Sequence, residues 1–121
     1  AEDFGALAEL VHTLTCCVIG CGAHGEDLQA HHVISRGAGG SAWMPDESGR
    51  LVGNIAPLCL AHHDEVHRVG RDTFDADCQR FVARLSNGNG FADTLAELAI
   101  AVGEYAIKCG VDPLTNTRRA S

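Results

Sequence analysis

The spacing of hydrophobic residues changes from helical to strand-like and back along the chain. Near the start, leucine and valine recur every three to four positions, which predicts an amphipathic helix over residues 2–14. Short apolar runs predict strands at residues 28–35 and 51–57, the second one broken by Gly53 and stopped by a proline. The segment between them, residues 36–50, is rich in glycine and is predicted to be a loop.

Helical spacing returns after the second strand. A helix is predicted over residues 60–69 and ends at Gly70, because glycine favours the backbone conformation that closes many helices. Asp72 can cap a following helix that reaches residue 85, before a break at residues 86–90. The apolar stripe of this helix would be Phe74, Cys78, Phe81, Val82 and Leu85.

A last helix is predicted over residues 92–109, and the tail at residues 111–121 is predicted to be frayed. The apolar stripe of this last helix would be Leu95, Leu98, Ala99, Val102 and Ala106. No repeat, low-complexity segment or long linker divides the chain. The pattern therefore predicts a single α+β domain over residues 1–121, a length that suits one hydrophobic core.

The charge balance lowers the expectation of tight nucleic-acid binding without excluding it. The formal net charge is −7, from 16 acidic and 9 basic residues, whereas phosphate contacts need clustered lysines and arginines. The charges are uneven, because residues 12–71 contain all seven histidines and four arginines against six acids. Arginine presents a planar fork that suits phosphate, so a few well-placed arginines can suffice.

The six cysteines are better explained as metal ligands or buried thiols than as disulfides. Four of them lie close to histidines at ligand-like spacing: Cys16, Cys17, Cys21 and Cys59. Cys78 and Cys109 stand apart in predicted helices and are expected to be buried free thiols. No apolar run approaches the roughly 18 residues of a membrane span, and no basic stretch typical of a signal peptide begins the chain. A cytoplasmic protein without membrane contact is therefore expected.

Two short spacings predict a structural zinc site. Cys59 and His62, separated by two residues, would form one half of it. The other half would be Cys21 with either Cys16 or Cys17, because spacing alone permits both C-x4-C and C-x3-C. Four such ligands bind zinc tetrahedrally and contribute directly to folding.

Two pairs of histidines favour a second metal site. On the predicted helix, His63 and His67 are four residues apart and project from one face, so they could bind one ion. On the predicted strand, the adjacent His31 and His32 point to opposite faces, so one could be a ligand and the other could face a substrate. Alone, a His-x3-His pair is more often an ordinary polar helix face. The order of histidine pair, glycine-rich loop, Asn54 and His-x3-His is far more specific.

Two segments of the chain resemble the HNH endonuclease motif, especially that of phage and bacterial members. They are A-H-H-V-I-S-R-G-A-G-G at residues 30–40 and N-I-A-P-L-C-L-A-H-H-D-E-V-H at residues 54–67. The resemblance implies a ββα-metal (His-Me finger) core over residues 28–70, in which two antiparallel strands and one helix surround a single catalytic ion. An N-terminal helix would precede this core, and two C-terminal helices over residues 71–110 would extend it.

The resemblance also implies roles for individual residues. His31, His63 and His67 match the ligands of the catalytic ion, and His32 matches the general-base histidine. Asn54 matches the residue behind the middle letter of the motif's name, which fixes the loop and orients the base.

The cysteine segment both follows and departs from the family pattern. Its C-x-V-x-G-C spacing resembles members with glycine before the second cysteine, which favours Cys16 over Cys17. Most members of this kind carry four cysteines, whereas this chain has His62 in place of one.

The expected function is metal-dependent hydrolysis of phosphodiester bonds, with double-stranded DNA as the partner. A histidine with a pKa of about 6.5 can accept a proton from water near neutral pH, and a divalent ion stabilises the phosphate and the leaving oxygen. Three imidazole ligands suit Mn, Co, Ni or Zn better than Mg, although the resemblance still allows Mg. Arg36 and Arg68 flank the motif and could hold the phosphate, or could be solvated surface residues.

Two other functions fit the same residues. One is a zinc-stabilised module that binds nucleic acid or protein without catalysis, and the other is a ribonuclease that uses the same motif. The presence of His32, which neither metal site needs, favours catalysis over the binding module. The sequence is also compatible with a homodimer.

Overall fold

The computed structural model describes residues 5–34, 41–78, 81–85 and 88–118 of the chain. Within these ranges the chain is a small mixed α+β domain with four α-helices and small two-stranded antiparallel sheets. The helices are α1 (Gly5–Val11), α2 (Leu60–Val69), α3 (Arg71–Cys78) and α4 (Leu95–Lys108). The strands are β1 (Leu28–His32), β2 (Trp43–Pro45), β3 (Leu51–Gly53), β4 (Ile55–Cys59), β5 (Phe81–Leu85), β6 (Gly88–Ala92), β7 (Val111–Asp112) and β8 (Thr117–Arg118).

Strands β1 and β4 and helix α2 carry the candidate site. The two strands pair antiparallel, from Leu28 opposite Cys59 to His32 opposite Ile55. All five residues of β4 are buried, and α1, α2 and α4 all contact this strand. Helix α2 follows β4 directly and also contacts β1, so side chains from the first strand and the helix can meet in one site.

The predicted helix over residues 60–69 is confirmed as α2. It ends at Gly70, which has a φ of 89° and donates its N–H to the carbonyl of Val66 at 2.9 Å. Glycine adopts this left-handed conformation without the steric cost that a side chain would add. Gly70 thereby separates α2 from α3, which begins at the next residue.

Helix α4 places the predicted apolar stripe in the core. Its buried residues are Leu95, Leu98, Ala99, Val102, Gly103 and Ala106. The helix begins at Leu95 rather than at residue 92, because the side chain of Thr94 accepts a hydrogen bond from the Glu97 N–H at 3.1 Å and caps the first turn. At 14 residues it is the longest described helix, and none of the described helices is long and apolar enough to cross a membrane.

Two glycines allow α4 to lie directly against β3. A Cβ on Gly103 would stand 2.6 Å from the backbone nitrogen of Gly53 and 3.1 Å from the ring of Trp43. Replacing Gly103 by alanine is therefore expected to lower the free energy of unfolding by about 1–3 kcal/mol, the usual cost of overpacking. Alanine is the better helix former by about 0.5–1 kcal/mol, so the sign of the effect is informative. Chemical denaturation of both proteins measures it, and a more stable variant would contradict this close packing.

The prediction of one helix over residues 72–85 is wrong in its second half. Helix α3 ends at Cys78, and Phe81–Leu85 forms strand β5, which pairs with β6 where a break was expected. The cause is a contact distant in sequence: the N–H of Val82 donates to the carbonyl of Cys17 at 2.9 Å. Phe81 is fully buried and stacks on Phe74 at 5.8 Å between ring centroids. Consequently α4 is the one full-length helix of the predicted C-terminal pair, and α3 is a short one.

The C-terminal tail and the predicted loop are more regular than expected. Strands β7 and β8 form a hairpin in the tail, and strand β2 lies within the segment predicted as loop. Asn116 explains the order in the tail, because its Oδ1 accepts hydrogen bonds from the Leu7 N–H at 3.1 Å and from Nε1 of Trp43 at 3.0 Å. Its carbonyl also accepts from the Ala6 N–H at 3.0 Å. These partners are remote in sequence, so periodicity could not reveal them.

Candidate metal centres

Four side chains from two distant parts of the sequence converge at the start of α2. Cys16 and Cys21 come from the loop after α1, whereas Cys59 ends β4 and His62 lies in the first turn of α2. Their ligand atoms all lie within 4.8 Å of one another, and we call them the cysteine–histidine group. Nδ1 of His62 is 3.1 Å from Sγ of Cys59 and 3.5 Å from Sγ of Cys16. Sγ of Cys21 is 3.8 Å from Sγ of Cys59.

These distances suit a tetrahedral ion. Zinc–sulfur bonds of about 2.3 Å at tetrahedral angles place two sulfurs about 3.8 Å apart, and the shorter zinc–nitrogen bond places sulfur and nitrogen about 3.5 Å apart. The observed S···S distance of 3.8 Å and one S···N distance of 3.5 Å agree, and the other S···N distance of 3.1 Å is somewhat shorter. The cysteine–histidine group can therefore hold a metal ion with little rearrangement.

The structure distinguishes Cys16 from its neighbour Cys17. Cys16 belongs to the cysteine–histidine group, whereas Cys17 belongs to neither candidate ligand group found among the described residues. Both thiols are buried, and the backbone of Cys17 is held by the carbonyl of Pro57 and the N–H of Val82. One thiol therefore lies in the cysteine–histidine group, while the other is buried outside it.

The predicted burial of Cys78 and Cys109 can be checked for Cys109 only. Cys16, Cys21, Cys59 and Cys109 form no disulfide, and Cys109 is only partly buried rather than fully buried as expected. Cys78 ends α3, but the prediction that its thiol is buried concerns a side chain outside the described part of the chain.

Burial and neighbouring groups shift the pKa values in the cysteine–histidine group in opposite directions. Burial, assisted by the nearby Cys59, raises the pKa of the Cys16 thiol to about 12. At Cys21, burial also raises the pKa, but hydrogen bonds from the Ala23 backbone and the other two thiols outweigh it, so the net shift is downward. Cys21 thus releases its proton more readily than Cys16, and a bound cation would favour thiolates throughout the group.

A second group brings together the three histidines predicted as ligands of a catalytic ion. His31 lies on β1 opposite Ala56, and His63 and His67 lie one turn apart on α2. Their ligand atoms lie within 4.8 Å of one another, and we call them the three-histidine group. The ring centroid of His31 is 5.1 Å from that of His63 and 5.5 Å from that of His67. His62 and His63 are adjacent on the helix, yet they belong to different groups.

The geometry of the three-histidine group is compatible with a bound ion. Nε2 of His63 and Nε2 of His67 are 3.2 Å apart, and two zinc–nitrogen bonds of about 2.0–2.1 Å at tetrahedral angles would place them about 3.3–3.4 Å apart. The same distance also suits a direct hydrogen bond between the two rings. Nδ1 of His31 is buried and has no hydrogen-bond partner among the described residues. A buried nitrogen without a partner costs free energy, so His31 is a strong candidate to bind an ion or another group that is not part of the protein.

Two of the three histidines are electrostatically suited to remain neutral. Burial, together with the charges of His63, His67, His32 and Arg71, lowers the pKa of His31 to about 3. Burial and the charge of His67 also lower the pKa of His63, although Asp64 opposes the shift. Neutral imidazole is the form that binds metals, so His31 and His63 present lone pairs at neutral pH.

His32 lies beside the three-histidine group without belonging to it. It ends β1 opposite Ile55 and is 9% exposed. Its charge would lower the pKa of both His31 and His63, which requires a position close to both rings.

The side chain of Asn54 links Ile34 to Ser41. It stands between β3 and β4, so the predicted strand at residues 51–57 is in fact two strands. Its Nδ2 donates to the carbonyls of Ile34 at 3.0 Å and Ser41 at 2.8 Å, and its Oδ1 accepts from the Ile34 N–H at 2.9 Å. Its own carbonyl accepts from the N–H of Val33 at 2.9 Å. Val33 directly follows His32, so Asn54 fixes the chain immediately beyond that histidine.

The two arginines predicted to bind phosphate make no described contact near the candidate site, whereas Arg71, which the motif does not include, does. Arg36 lies outside the described residues, and Arg68 is exposed on α2 with no hydrogen bond or ion pair to any described residue. Arg71, in contrast, donates from Nη1 to the carbonyl of Val33 at 3.3 Å, and its charge lowers the pKa of His31. No local pattern marked Arg71, because Gly70 ends α2 between His67 and this arginine.

Comparison with known proteins adds no independent assignment. No protein-family profile, curated protein or solved structure matches the chain. The resemblance to HNH endonucleases therefore depends on the motif residues alone, and function must be inferred from the two groups and their surroundings.

Proposed function

We propose that this protein is a metal-dependent endonuclease of the HNH type that hydrolyses phosphodiester bonds in DNA. The observation that carries the proposal is the three-histidine group, which β1 and α2 bring together beside a fourth histidine, His32. A purely structural metal site would not need this fourth histidine. Strand β1 and helix α2 supply these histidines, and β4 pairs with β1 and leads directly into α2, an arrangement that supports the ββα-metal core implied by the motif.

Each residue has a role in this proposal. A divalent ion held by the three-histidine group would act as a Lewis acid on the phosphate and stabilise the leaving 3′ oxygen. His32 accepts the proton of the attacking water. Asn54 fixes Ile34 and, through Val33, the position of the base. Only imidazole ligands are present in this group, which favours Mn, Co, Ni or Zn over Mg.

The cysteine–histidine group has a structural role in this proposal and binds zinc. It joins the loop after α1 to the junction of β4 and α2. Its four side chains would fill all four positions around a tetrahedral ion, so no position is left for water. Four cysteine and histidine ligands at tetrahedral distances are typical of structural zinc sites. The ion would thereby fix the start of α2, which carries two members of the three-histidine group.

The experiment that tests the proposal is cleavage of plasmid DNA by the purified protein at a series of Mn²⁺, Ni²⁺, Zn²⁺ and Mg²⁺ concentrations. Replacing His67 by alanine should weaken binding of the catalytic metal by at least about tenfold, with partial rescue of cleavage at high Mn²⁺ or Ni²⁺. His67 is exposed, so the fold should tolerate the change. Zinc in the cysteine–histidine group should be retained, because none of its ligands is altered.

The control and the alternatives are distinguished in the same assay. His12→Ala removes an exposed histidine at the end of α1 and should leave cleavage unchanged. An RNA substrate assayed in parallel separates a ribonuclease from a DNase. Absence of cleavage of either nucleic acid with every metal would contradict the proposal and favour the zinc-stabilised binding module.

A further inference from the structure

A groove opens next to the two elements that supply the three-histidine group. Its volume is about 590 Å³, and its described lining consists of residues 33–34 and residues 69–73. Val33 directly follows His32, and the second segment begins two residues after His67. The groove therefore begins where β1 and α2 both end. None of the histidines lines it in the described part of the chain, so it offers space for a ligand larger than an ion.

Arg71 is the one cation among the described lining residues. Its Nη1 donates to the carbonyl of Val33 at 3.3 Å, which anchors the side chain at the end of β1. A guanidinium has five N–H donors, and this is the one hydrogen bond that the Arg71 side chain makes to described residues. No described residue accepts a hydrogen bond from the remaining donors, so they can bind an anion, and the anchored side chain loses less entropy on binding one than a freely moving arginine would.

We propose that this groove receives the backbone of a nucleic acid and that Arg71 binds one of its phosphates beside the ion of the three-histidine group. This inference rests on the proposed nuclease function and extends it to the substrate. The described lining has no aromatic side chain on which a base could stack, so the contact is to the backbone and independent of base sequence. Asp72 also lines the groove and disfavours a second phosphate, which limits the contact to one.

The test is the affinity for a fluorescein-labelled DNA duplex, measured by anisotropy without added divalent ion so that the DNA stays intact. Arg71→Ala should weaken binding by about 10- to 100-fold, the usual loss for a charged hydrogen bond. The slope of log Kd against log salt concentration should fall by about 0.9, which corresponds to one phosphate contact. Arg71→Lys should keep the slope, because the charge remains, and lose part of the affinity. A merely structural role could lower the affinity, but it would leave the salt slope unchanged, because the slope counts phosphate contacts.

The matched control is Arg118→Ala. Arg118 also donates to a backbone carbonyl at 3.3 Å, that of Cys109, but it lies on the C-terminal hairpin. Its replacement should change neither affinity nor slope. Equal affinity and slope for the wild type and Arg71→Ala would overturn the inference.

Cleavage assays on the same proteins separate this inference from the proposed function. If the wild type cleaves DNA and Arg71→Ala binds and cleaves it equally well, the groove assignment is wrong although the nuclease proposal stands. If the wild type cleaves nothing with any metal but Arg71→Ala still loses affinity and salt slope, the groove assignment stands and the nuclease proposal fails.

Discussion

Replacing His32 by glutamine should lower the rate of DNA hydrolysis by about 10²–10⁴-fold, the usual contribution of a general base. Glutamine preserves a polar, hydrogen-bonding side chain at this buried position, but it cannot take up a proton near neutral pH. His32 is not a member of the three-histidine group, so the variant should bind the catalytic metal as tightly as the wild type. Lost activity with retained metal binding is the combination expected for a base, whereas removal of a metal ligand would lower both.

Three measurements decide this prediction: cleavage rate, metal affinity by calorimetry, and thermal stability. His32→Ala tests the same role with a larger loss of buried volume, and glutamine provides the readout if the alanine variant is unstable. His12→Ala is the matched control, since it removes an exposed histidine outside both groups. Activity of His32→Gln within a few-fold of the wild type would eliminate His32 as the base. Loss of metal affinity together with activity would instead make His32 a ligand, which also contradicts the prediction.

The parts of the site that were predicted from the sequence depend on local geometry. The spacing of His63 and His67 places them on one helix face wherever that helix lies in the fold. The end of α2 was likewise predictable, because Gly70 alone supplies the required left-handed backbone. Cys59 and His62 are close together because a strand end and the following helical turn are contiguous.

The parts that were not predicted depend on contacts between distant residues. The periodicity of residues 72–85 suited a helix, but pairing of Val82 with the backbone of Cys17 makes its second half a strand. Phe81 would be buried in a helix as well as in a strand, so its hydrophobicity could not distinguish the two structures. Arg71 was overlooked as a site residue for the same reason, because its partner Val33 is 38 residues away.

The acidic composition restricts how this chain could bind a nucleic acid. A net charge of −7 opposes a polyanion at long range, so binding must depend on a few close contacts. Under the proposed function, Arg71 and an ion held by the three-histidine group would be such contacts. We therefore expect weak binding that an added metal strengthens and that decreases only modestly with salt, because few phosphates are contacted.

Removal of the metal from the cysteine–histidine group should unfold the domain or lower its melting temperature greatly. A structural zinc site contributes about 10–16 kcal/mol of apparent binding free energy, whereas a domain of this size is stable by about 5–15 kcal/mol in total. The ion would join the loop after α1 to β4 and α2, and these elements carry much of the core. Thermal unfolding with and without a strong chelator measures the effect. An unchanged melting temperature, or a protein isolated without zinc, would contradict the prediction.

The pair Cys16→Ala and Cys17→Ala identifies the ligand. Both replacements remove a thiol that is 2% exposed or less, so the loss of buried sulfur is similar in the two variants. Only Cys16 belongs to the cysteine–histidine group, so Cys16→Ala should lose the metal and Cys17→Ala should retain it. Substitution with Co²⁺ provides the readout, because absorption from thiolate-to-cobalt charge transfer reports the sulfur site and is silent for the all-nitrogen three-histidine group. If Cys17→Ala abolishes this absorption and Cys16→Ala preserves it, the ligand assignment must be reversed. Absorption as strong as that of the wild type in both variants would mean that neither thiol is required.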